Sequence, residues 1–451
     1  MDVATSVANL LSPPLRPIDR VLSPMRGFLK HRLAGAGLLM LATAAAIIIA
    51  NSPLEHAYHH FLHAHVEFDA GILDLDYTIH HWINDGLMSI FFFLVGLEIK
   101  RELMVGELSS ARKATLPAIA ALGGMVVPAL VYAFFNAGTE TAGGWGIPMA
   151  TDIAFALGVL ALLGDRIPLG AKVFLTALAI VDDIGAVLVI AIFYTTDINT
   201  TALAVGFAFL GLALLFNHLD VRSPFAYLAI GVFVWIAFLK SGIHATIAAI
   251  LMAFVIPATT RINGSDLVQR VEIITARLRK IGLPEDTKMN SDEQQHAIFA
   301  MAETIDHAQA PLQRIEHDLH GPVTFVVLPV FALANAGVTL EGDLTHQLMS
   351  PLALGVVLGL LIGKQVGITL ATWLAVKVRL ADLPEGVTWK QIHGANILAG
   401  IGFTMSLFVA SLAFTDPHHI AQAKIGILCG SLVSGVVGYL FLTSSTQPKQ
   451  S

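Results

Sequence analysis

The chain has 451 residues, of which 55% are hydrophobic and 13% are charged, and its formal net charge is −7 at pH 7. The charged share is about half of that in soluble domains and the mean hydropathy is +0.72, which excludes a soluble globular protein and indicates a polytopic membrane protein. The single cysteine, Cys429, excludes an internal disulfide framework and a cysteine-based metal cluster.

Apolar runs of about 17–25 residues recur along the chain, each bounded by Gly, Pro or charge. A helix needs about 20 apolar residues to cross the hydrocarbon core of a bilayer. The sequence therefore predicts an all-α integral membrane protein with twelve transmembrane helices. The runs are 33–50, 84–104, 115–135, 144–164, 170–194, 200–217, 224–239, 242–257, 322–338, 351–376, 391–415 and 420–442.

Lysine and arginine are concentrated on one side of the predicted spans. That side carries 23 of the 26 Lys and Arg residues. Because cytoplasmic loops are enriched in positive residues, the N-terminal lead 1–32 and the C-terminal tail 443–451 are predicted to be cytoplasmic, with the twelve-helix domain 33–442 between them. Lys364 is an exception, since it lies deep inside a predicted span.

The first outer loop, 51–83, is rich in histidine. Its segment 65–76 alternates about a glycine, which predicts a short β-hairpin whose edge favours pairing with a second copy of the chain. The histidines either bind a transition metal or are simply solvated, and the sequence alone leaves both open. They are His56, His59, His60, His63, His65, His80 and His81.

The cytoplasmic loop 258–320 is a long, soluble-like insert. Its segment 266–281 has apolar residues at three- and four-residue steps and ends at a glycine, which predicts a helix. A second helix is predicted to begin at Ser291 with a capping box and to end before Pro311. The insert is either a solvated connector or a regulatory element.

Two adjacent carboxylates, Asp182 and Asp183, lie in the middle of the apolar run 170–194. A charged side chain near the bilayer centre costs at least about 2.5–3.5 kcal/mol, so the pair needs a partner, a proton, a bound cation or water. At successive helix positions the two side chains point about 100° apart and can meet different partners. The pair therefore predicts an ion-transport site.

Two predicted spans contain weak points in their middle. In one span Pro148 is followed by Thr151 and Asp152, whose side chains compete for backbone hydrogen bonds. In the other, Gly400 and Gly402 form a flexible segment. Such interruptions are tolerated at that depth only if they line a cavity or are buried in protein.

The interrupted spans occupy matching places in two three-span groups, 115–194 and 351–442. The second group begins on the opposite side of the membrane from the first, which predicts inverted-topology repeats with two broken, crossing helices and an ion site between them. Asp152 and Lys364 are placed to neutralise the facing helix ends. Lys364 is alternatively a partner of Asp182 or Asp183, and the sequence does not decide between these roles.

Acidic residues and histidines also mark the cytoplasmic ends of two spans. Glu98 and Glu102 share one helix face at the end of the second span, and Glu316, His317 and His320 lie at the entry to the ninth. Because histidine changes charge near neutral pH, such a cluster is able to act as a pH switch. Ordinary surface capping accounts for the same pattern.

Two other functions share some of these features. A cation-coupled transporter of organic solutes has the same scaffold, but the sequence shows no polar or aromatic pocket for a larger substrate. A membrane-embedded aspartyl protease also uses two intramembrane acids, which come from separate helices, whereas Asp182 and Asp183 are adjacent on one. The chain is therefore not expected to be an enzyme.

Four segments resemble the NhaA-type Na⁺/H⁺ antiporters of bacteria. They are FFFLVGLEIKRE (91–102), IPMATDIAFALG (147–158), AIVDDIGAV (179–187) and GFTMSLF (402–408), and the resemblance extends from about Gly27 to Leu442. It implies an electrogenic exchanger of the inner membrane that extrudes Na⁺ or Li⁺ against protons and stops at acidic pH.

The resemblance also implies roles for individual residues. Asp183, Asp182 and Thr151 would bind the ion and protons, and Asp152 and Lys364 would support the broken helices. Glu98, Glu102, Glu316, His317 and His320 would sense pH. The outer hairpin would serve a homodimer, with no cofactor and no nucleic-acid partner. The long insert before Glu316 departs from shorter family members, so the pH set point does not transfer.

Overall fold

The computed structural model describes residues 34–69, 74–195, 198–282, 291–339 and 344–445. The N-terminal lead, the turn of the predicted hairpin and the last residues of the tail lie outside these ranges. The predicted location of the two termini therefore stays a prediction.

Helices form nearly all of the described chain. They are α1 Ala34–Ala50, α2 Glu55–Leu62, α3 Ile79–Val105, α4 Ala111–Asn136, α5 Ile153–Leu162, α6 Leu169–Phe193, α7 Thr200–His218, α8 Pro224–Leu239, α9 Ala245–Val255, α10 Gly264–Ile281, α11 Asp292–Ala308, α12 Pro311–Asn335, α13 Leu344–Leu348, α14 Pro351–Lys377, α15 Trp389–Leu398, α16 Phe403–Ala413 and α17 Pro417–Ser445. Two 3₁₀ helices, Glu140–Met149 and Gly164–Arg166, flank α5. Strands β1 His65–Asp69 and β2 Asp74–Thr78 pair antiparallel.

The lengths of the helices support the membrane class. Among the described residues, seven helices are long and apolar enough to cross a bilayer, and there are up to ten such spans if each strongly bent pair is one span. Two shorter apolar helices, α8 and α9, complete a set that coincides in position with the twelve predicted runs. The all-α integral membrane fold is thereby confirmed, whereas the number of helices that cross the bilayer stays a prediction.

The segment after α1, which is the predicted outer loop, contains a helix that the sequence pattern did not predict. The chain turns by 114° between α1 and α2 and then enters the two strands, which pair from His65 with Thr78 to Asp69 with Asp74. Tyr58 anchors α2, because its hydroxyl donates to the carbonyl of Leu333 at 2.6 Å. The segment is therefore an ordered cap on the end of α12.

The insert 258–320 forms the two predicted helices. α10 ends at Gly282, whose φ of +74° suits glycine. α11 begins with the predicted capping box, in which Ser291 and Gln294 each bond the other's backbone N–H group. The Arg261 N–H group donates to the His307 carbonyl at 3.0 Å and joins the two ends of the insert. The insert is tied to the loop between α7 and α8, because Arg261 Nε donates to Asp220 Oδ2 at 2.8 Å.

α4 and α14 pack closely enough to direct a lysine into the interior. Gly123 and Gly367 meet backbone to backbone, so a Cβ atom at either position would collide with the carbonyl of the other. A π-helical turn, Gly359–Gly363, immediately precedes Lys364 in α14, and such turns are frequent at functional sites. Lys364 is 0% exposed as a result.

Candidate functional site at the crossing of two broken helices

The first broken helix is interrupted between the 3₁₀ helix and α5. Residues 150–152 are extended, and the two helical halves are bent by 42°. Pro148 has no N–H group to continue the hydrogen-bond ladder. Asp152 begins the second half, because its Oδ1 accepts from the Phe155 N–H group at 2.9 Å. This is the N-cap role that aspartate commonly fills.

The second broken helix is interrupted between α15 and α16, with a bend of 45°. Gly400 and Gly402 lie in this gap, as the sequence predicted for the unwound segment. A Cβ atom at Gly400 would lie 2.6 Å from the Leu360 carbonyl oxygen and 2.6 Å from Ser434 Oγ. The absence of a side chain at Gly400 therefore allows close approach to α14 and α17.

The two interruptions contact each other. The Asp152 N–H group donates to the Ile401 carbonyl at 2.7 Å, and Thr151 Oγ1 donates to the Ala399 carbonyl at 3.0 Å. Thr404 donates to Asp152 Oδ2 from its N–H group at 3.1 Å and from its hydroxyl at 2.5 Å. One carboxylate thus binds the N-termini of both α5 and α16, where partial positive charge accumulates.

Lys364 supplies the positive charge at the crossing. Its Nζ lies 2.6 Å from Asp182 Oδ2 and also donates to the Met149 carbonyl at the end of the 3₁₀ helix. The alternatives left open by the sequence are therefore both realised, because the lysine pairs with an aspartate and also binds a helix end. Between the two aspartates, the structure pairs it with Asp182.

Asp183 differs from Asp182 in having no such partner. Both side chains are 1% exposed. Neither oxygen of Asp183, and only one oxygen of Asp182, accepts a hydrogen bond from the described residues. A buried carboxylate without partners is costly unless it binds a proton or a cation. Three carboxylate oxygens in one buried place therefore form a candidate cation or proton site.

Arg101 binds acidic residues near the C-terminal end of α3, which is its predicted cytoplasmic end. Its guanidinium binds Glu316 at the start of α12 and lies 3.1 Å from Glu102. Glu98 is half-buried one turn before Glu102, between this cluster and α6. Three of the predicted pH-sensing residues therefore come together around one arginine.

The two predicted pH-sensing histidines are more peripheral. Both His317 and His320 are exposed. His320 Nδ1 lies 3.1 Å from Thr324 Oγ1 and acts electrostatically on Glu316. The structure therefore brings the acids together but leaves the histidines on the surface beside them.

Two contributors to these sites were not predicted as site residues. Thr404 binds Asp152, and Arg101 binds Glu102 and Glu316. The available signal for Arg101 was its spacing, since it lies three residues after Glu98 and beside Glu102. Nothing in the local pattern distinguished Thr404, because its partner is 252 residues away.

Comparisons with known proteins cover nearly the whole chain. The family model Na+/H+ antiporter 1 matches residues 26–442. A relative named Na(+)/H(+) antiporter NhaA 1, from Saccharophagus degradans, is 49% identical over 95% of this chain and 92% of its own. Another, Na(+)/H(+) antiporter NhaA from Oleidesulfovibrio alaskensis, is 50% identical over 95% of each chain. The structure of the sodium proton antiporter MjNhaP1 from Methanocaldococcus jannaschii covers 94% of this chain and 99% of its own, with 12% identity and a TM-score of 0.47.

Proposed function

The chain belongs to the Na+/H+ antiporter 1 family, and we propose that it exchanges cytoplasmic Na⁺ or Li⁺ for protons at Asp182 and Asp183. The observation that carries this proposal is the buried Asp183 carboxylate, whose oxygens accept no hydrogen bond from the described residues. Burial removes the hydration of a carboxylate, and a proton or a cation offsets that loss. Asp183 is therefore the group for which Na⁺ and H⁺ compete.

The ligands for Na⁺ in this proposal are oxygen atoms, which hard cations prefer. Asp183 offers two carboxylate oxygens and Asp182 offers the one that Lys364 does not bind. Thr151 donates its hydroxyl proton to the Ala399 carbonyl, so the lone pairs of its oxygen are available to a cation. We assign Asp183, Asp182 and Thr151 as the ion and proton ligands.

The charge of the site predicts electrogenic exchange. When one Na⁺ replaces two protons on the aspartate pair, the two loaded states differ by one elementary charge. Each cycle in which Na⁺ moves one way and two protons move the other therefore transfers one net charge. A membrane potential of 100 mV contributes about 2.3 kcal/mol per transferred charge, so transport should respond to voltage.

The broken helices provide the means of exposing the site to one side at a time. Asp152 holds the N-termini of α5 and α16 together, and Lys364 holds the end of the 3₁₀ helix. The extended residues between the half-helices are joined by a few hydrogen bonds, so the halves can shift relative to each other. Alternating access around a mid-membrane site has this form in transporters with inverted repeats.

Regulation by pH is assigned to the cluster at the cytoplasmic mouth. Protonation of Glu98, Glu102 or Glu316 removes a negative charge from the neighbourhood of Arg101 and loosens the contact between α3 and α12. Protonation of His317 or His320 adds positive charge beside the same contact. We expect both changes to arrest transport in acid.

The orientation and the assembly are further parts of the proposal. The enrichment of Lys and Arg favours a multi-pass protein of the bacterial inner membrane with both termini in the cytoplasm. Two contacts between distant segments are consistent with this orientation, because each joins residues on the same predicted side of the membrane. Tyr58 contacts Leu333 on the predicted outer side, and Asp220 contacts Arg261 on the predicted cytoplasmic side. The exposed edge of the β1–β2 hairpin is the surface on which we expect a second copy to pair.

The decisive experiment is proton movement in inside-out membrane vesicles after addition of Na⁺, Li⁺ or K⁺ at several pH values. Asp183→Asn should lower the Na⁺-driven rate by at least about 100-fold, equivalent to about 2.7 kcal/mol. Asp382→Asn is the matched control, because the Asp382 side chain is 86% exposed. Full exchange by the Asp183 variant would contradict the proposal, as would the absence of a response to Na⁺ and Li⁺ in the unmodified protein.

A further inference from the structure

α2 presents histidines on one outer face that the transport site does not use. Three of these histidines lie in α2 and His63 is its C-cap residue, so histidines three or four residues apart are neighbours on one surface. Together with Glu55 they line a surface groove of about 380 Å³. They are His56, His59, His60 and His63.

We infer that His59 and His63 form a binding site for a transition-metal ion such as Cu²⁺, Ni²⁺ or Zn²⁺. Their rings are nearly parallel, with an angle of 17° between the planes and 6.5 Å between the centroids. Two histidines four residues apart on a helix are a recurrent metal-binding pair. Imidazole nitrogen is a preferred ligand of all three ions.

The geometry requires only a small adjustment of the two side chains. A Zn–N distance is about 2.0–2.1 Å, so both rings must turn toward a common point. His59 and His63 are exposed, which leaves them room to turn. No three His, Cys, Asp or Glu side chains already converge on one point within the described ranges. The site therefore has two imidazole ligands, with water completing the coordination.

Neighbouring histidines are less suited to this role. His65 Nδ1 lies 2.7 Å from Asp76 Oδ1, and His80 Nε2 lies 3.1 Å from Asn335 Oδ1. His56 and His60 are also four residues apart, but no close approach of their rings accompanies that spacing in the described structure. The ring centroids of His63 and His80 are also 6.5 Å apart, but these rings are tilted by 36° and His80 is held by Asn335. The nearly parallel rings of His59 and His63 therefore form the better chelating pair.

The position of α2 is set by contacts on its other face. Tyr58 donates to the Leu333 carbonyl at 2.6 Å, and Leu62 is buried. Because the helix is already held in place, metal binding does not have to order it, and a preorganised site loses less entropy on binding. Metal binding at this pair does not depend on the proposed transport function.

The test uses the full-length protein purified in detergent with an affinity tag that contains no histidine. Cu²⁺ is titrated at pH 7.5 by calorimetry, and the bound ion is examined by electron paramagnetic resonance. We expect one ion per chain with nitrogen hyperfine coupling. The double variant H59Q/H63Q should bind Cu²⁺ at least about tenfold more weakly.

Two control variants separate this pair from the other histidines. H418Q/H419Q removes two histidines that are adjacent in α17 and therefore do not share a helix face, so binding should be unchanged. H56Q/H60Q should leave most of the affinity. Stronger loss in H56Q/H60Q than in H59Q/H63Q, or equal affinity in the unmodified protein and H59Q/H63Q, would overturn the assignment, as would failure of the unmodified protein to bind Cu²⁺ stoichiometrically.

A measurement on the unmodified protein covers the case in which a variant fails to fold. Cu²⁺ or Zn²⁺ should protect His59 and His63 from modification by diethylpyrocarbonate while leaving His418 reactive. Modification of all three at the same rate with and without metal would contradict the site. Na⁺-driven transport by H59Q/H63Q should be unchanged, because neither residue contacts the broken helices.

Discussion

The ion pair at the crossing and the ion pairs of Arg101 at the proposed cytoplasmic mouth lie in opposite surroundings. Lys364 and Asp182 are 0% and 1% exposed. At the mouth, the Arg101 side chain is 37% exposed, and its partners Glu102 and Glu316 are 16% and 13% exposed. A low local dielectric strengthens the central pair but also raises the cost of losing either member.

Under the proposed function, this difference separates transport at the crossing from pH regulation at the mouth. The central lysine also binds the Met149 carbonyl, so it supports the broken helix as well as Asp182. Arg101 shares its charge between two acids and water, so a change in one of them alters the cluster without removing a buried partner. The centre should therefore respond to substitution by losing stability, and the mouth by changing its pH response.

Removal of the central cation should have the largest effect. Lys364→Met leaves Asp182 buried without its partner, which typically costs about 3–5 kcal/mol. The thermal unfolding midpoint in detergent should fall accordingly. The double variant K364M/D182N removes both charges and should recover part of the lost stability. Equal midpoints for the single and double variants would show that the pair does not contribute in this way.

A smaller loss of stability should follow when the packing at the helix crossing is disturbed. In Gly400→Ala the new methyl group would approach the Leu360 carbonyl oxygen and Ser434 Oγ, each at 2.6 Å. Overpacking of this kind costs about 1–3 kcal/mol. Gly435→Ala is the matched control, because its methyl group would meet only Ile401 Cδ1, at 3.6 Å. Equal unfolding temperatures for Gly400→Ala and Gly435→Ala would contradict this prediction.

At the mouth, we expect a change in pH response and little change in stability. Glu316→Gln mimics the protonated acid and removes one partner of Arg101, so the onset of Na⁺-driven transport should move to more alkaline pH. The measurement is the initial rate in vesicles from about pH 6 to about pH 9, because histidine changes its charge near neutral pH. Asp318→Asn, an exposed neighbour on α12, should leave the profile in place. A shift of equal size in both variants would remove Glu316 from the proposed sensor.

The smallest effect is expected at an exposed ion pair in the loop between α7 and α8. Hydrogen bonds from Arg222 and Arg261 lower the pKa of Asp220 below its ordinary value of 3.8. A lowered folded-state pKa means that the stabilisation is present above the unfolded-state pKa and is lost as the pH falls through the folded-state pKa. Because the Asp220 side chain is 51% exposed, the contribution should be below about 1 kcal/mol.

Asp220→Asn tests this contribution without disturbing the backbone. Asp220 has a φ of +57°, which asparagine tolerates. The variant should unfold slightly earlier than the unmodified protein at pH 7, and the difference should vanish below about pH 3. If the difference in unfolding temperature grew as the pH was lowered, the predicted direction of the pH dependence would be wrong.

The sequence predicted the architecture of the site well where the signal was local. The lengths of the apolar runs predicted the positions of the spans. Pro148, Gly400 and Gly402 marked segments where a continuous helix is unfavourable. The structure places the interruptions at residues 150–152, directly after the 3₁₀ helix that contains Pro148, and at residues 399–402, which include both glycines. It also contains α2, which was missed because a short helix rich in histidine has neither the length nor the apolar periodicity of a span.

The partners of the buried charges lay beyond the reach of the sequence. Thr404 binds Asp152 across 252 positions, and Lys364 reaches Asp182 across 182. The π-helical turn before Lys364 was also not predicted, since it has no distinct sequence pattern. Contacts of this separation depend on how the helices pack, which local propensity does not encode.

Composition and pattern by themselves determined that this chain is a helical membrane protein with two acids buried together and two interrupted helices, because hydrocarbon tolerates only internally bonded backbone and few charges. Tertiary structure alone decided which acid is paired. Asp182 and Asp183 are neighbours with the same side chain, but Lys364 of α14 pairs with Asp182 alone. Asp183 accepts no hydrogen bond from the described residues. The helix turns successive side chains about 100° apart, so packing gives identical residues different partners.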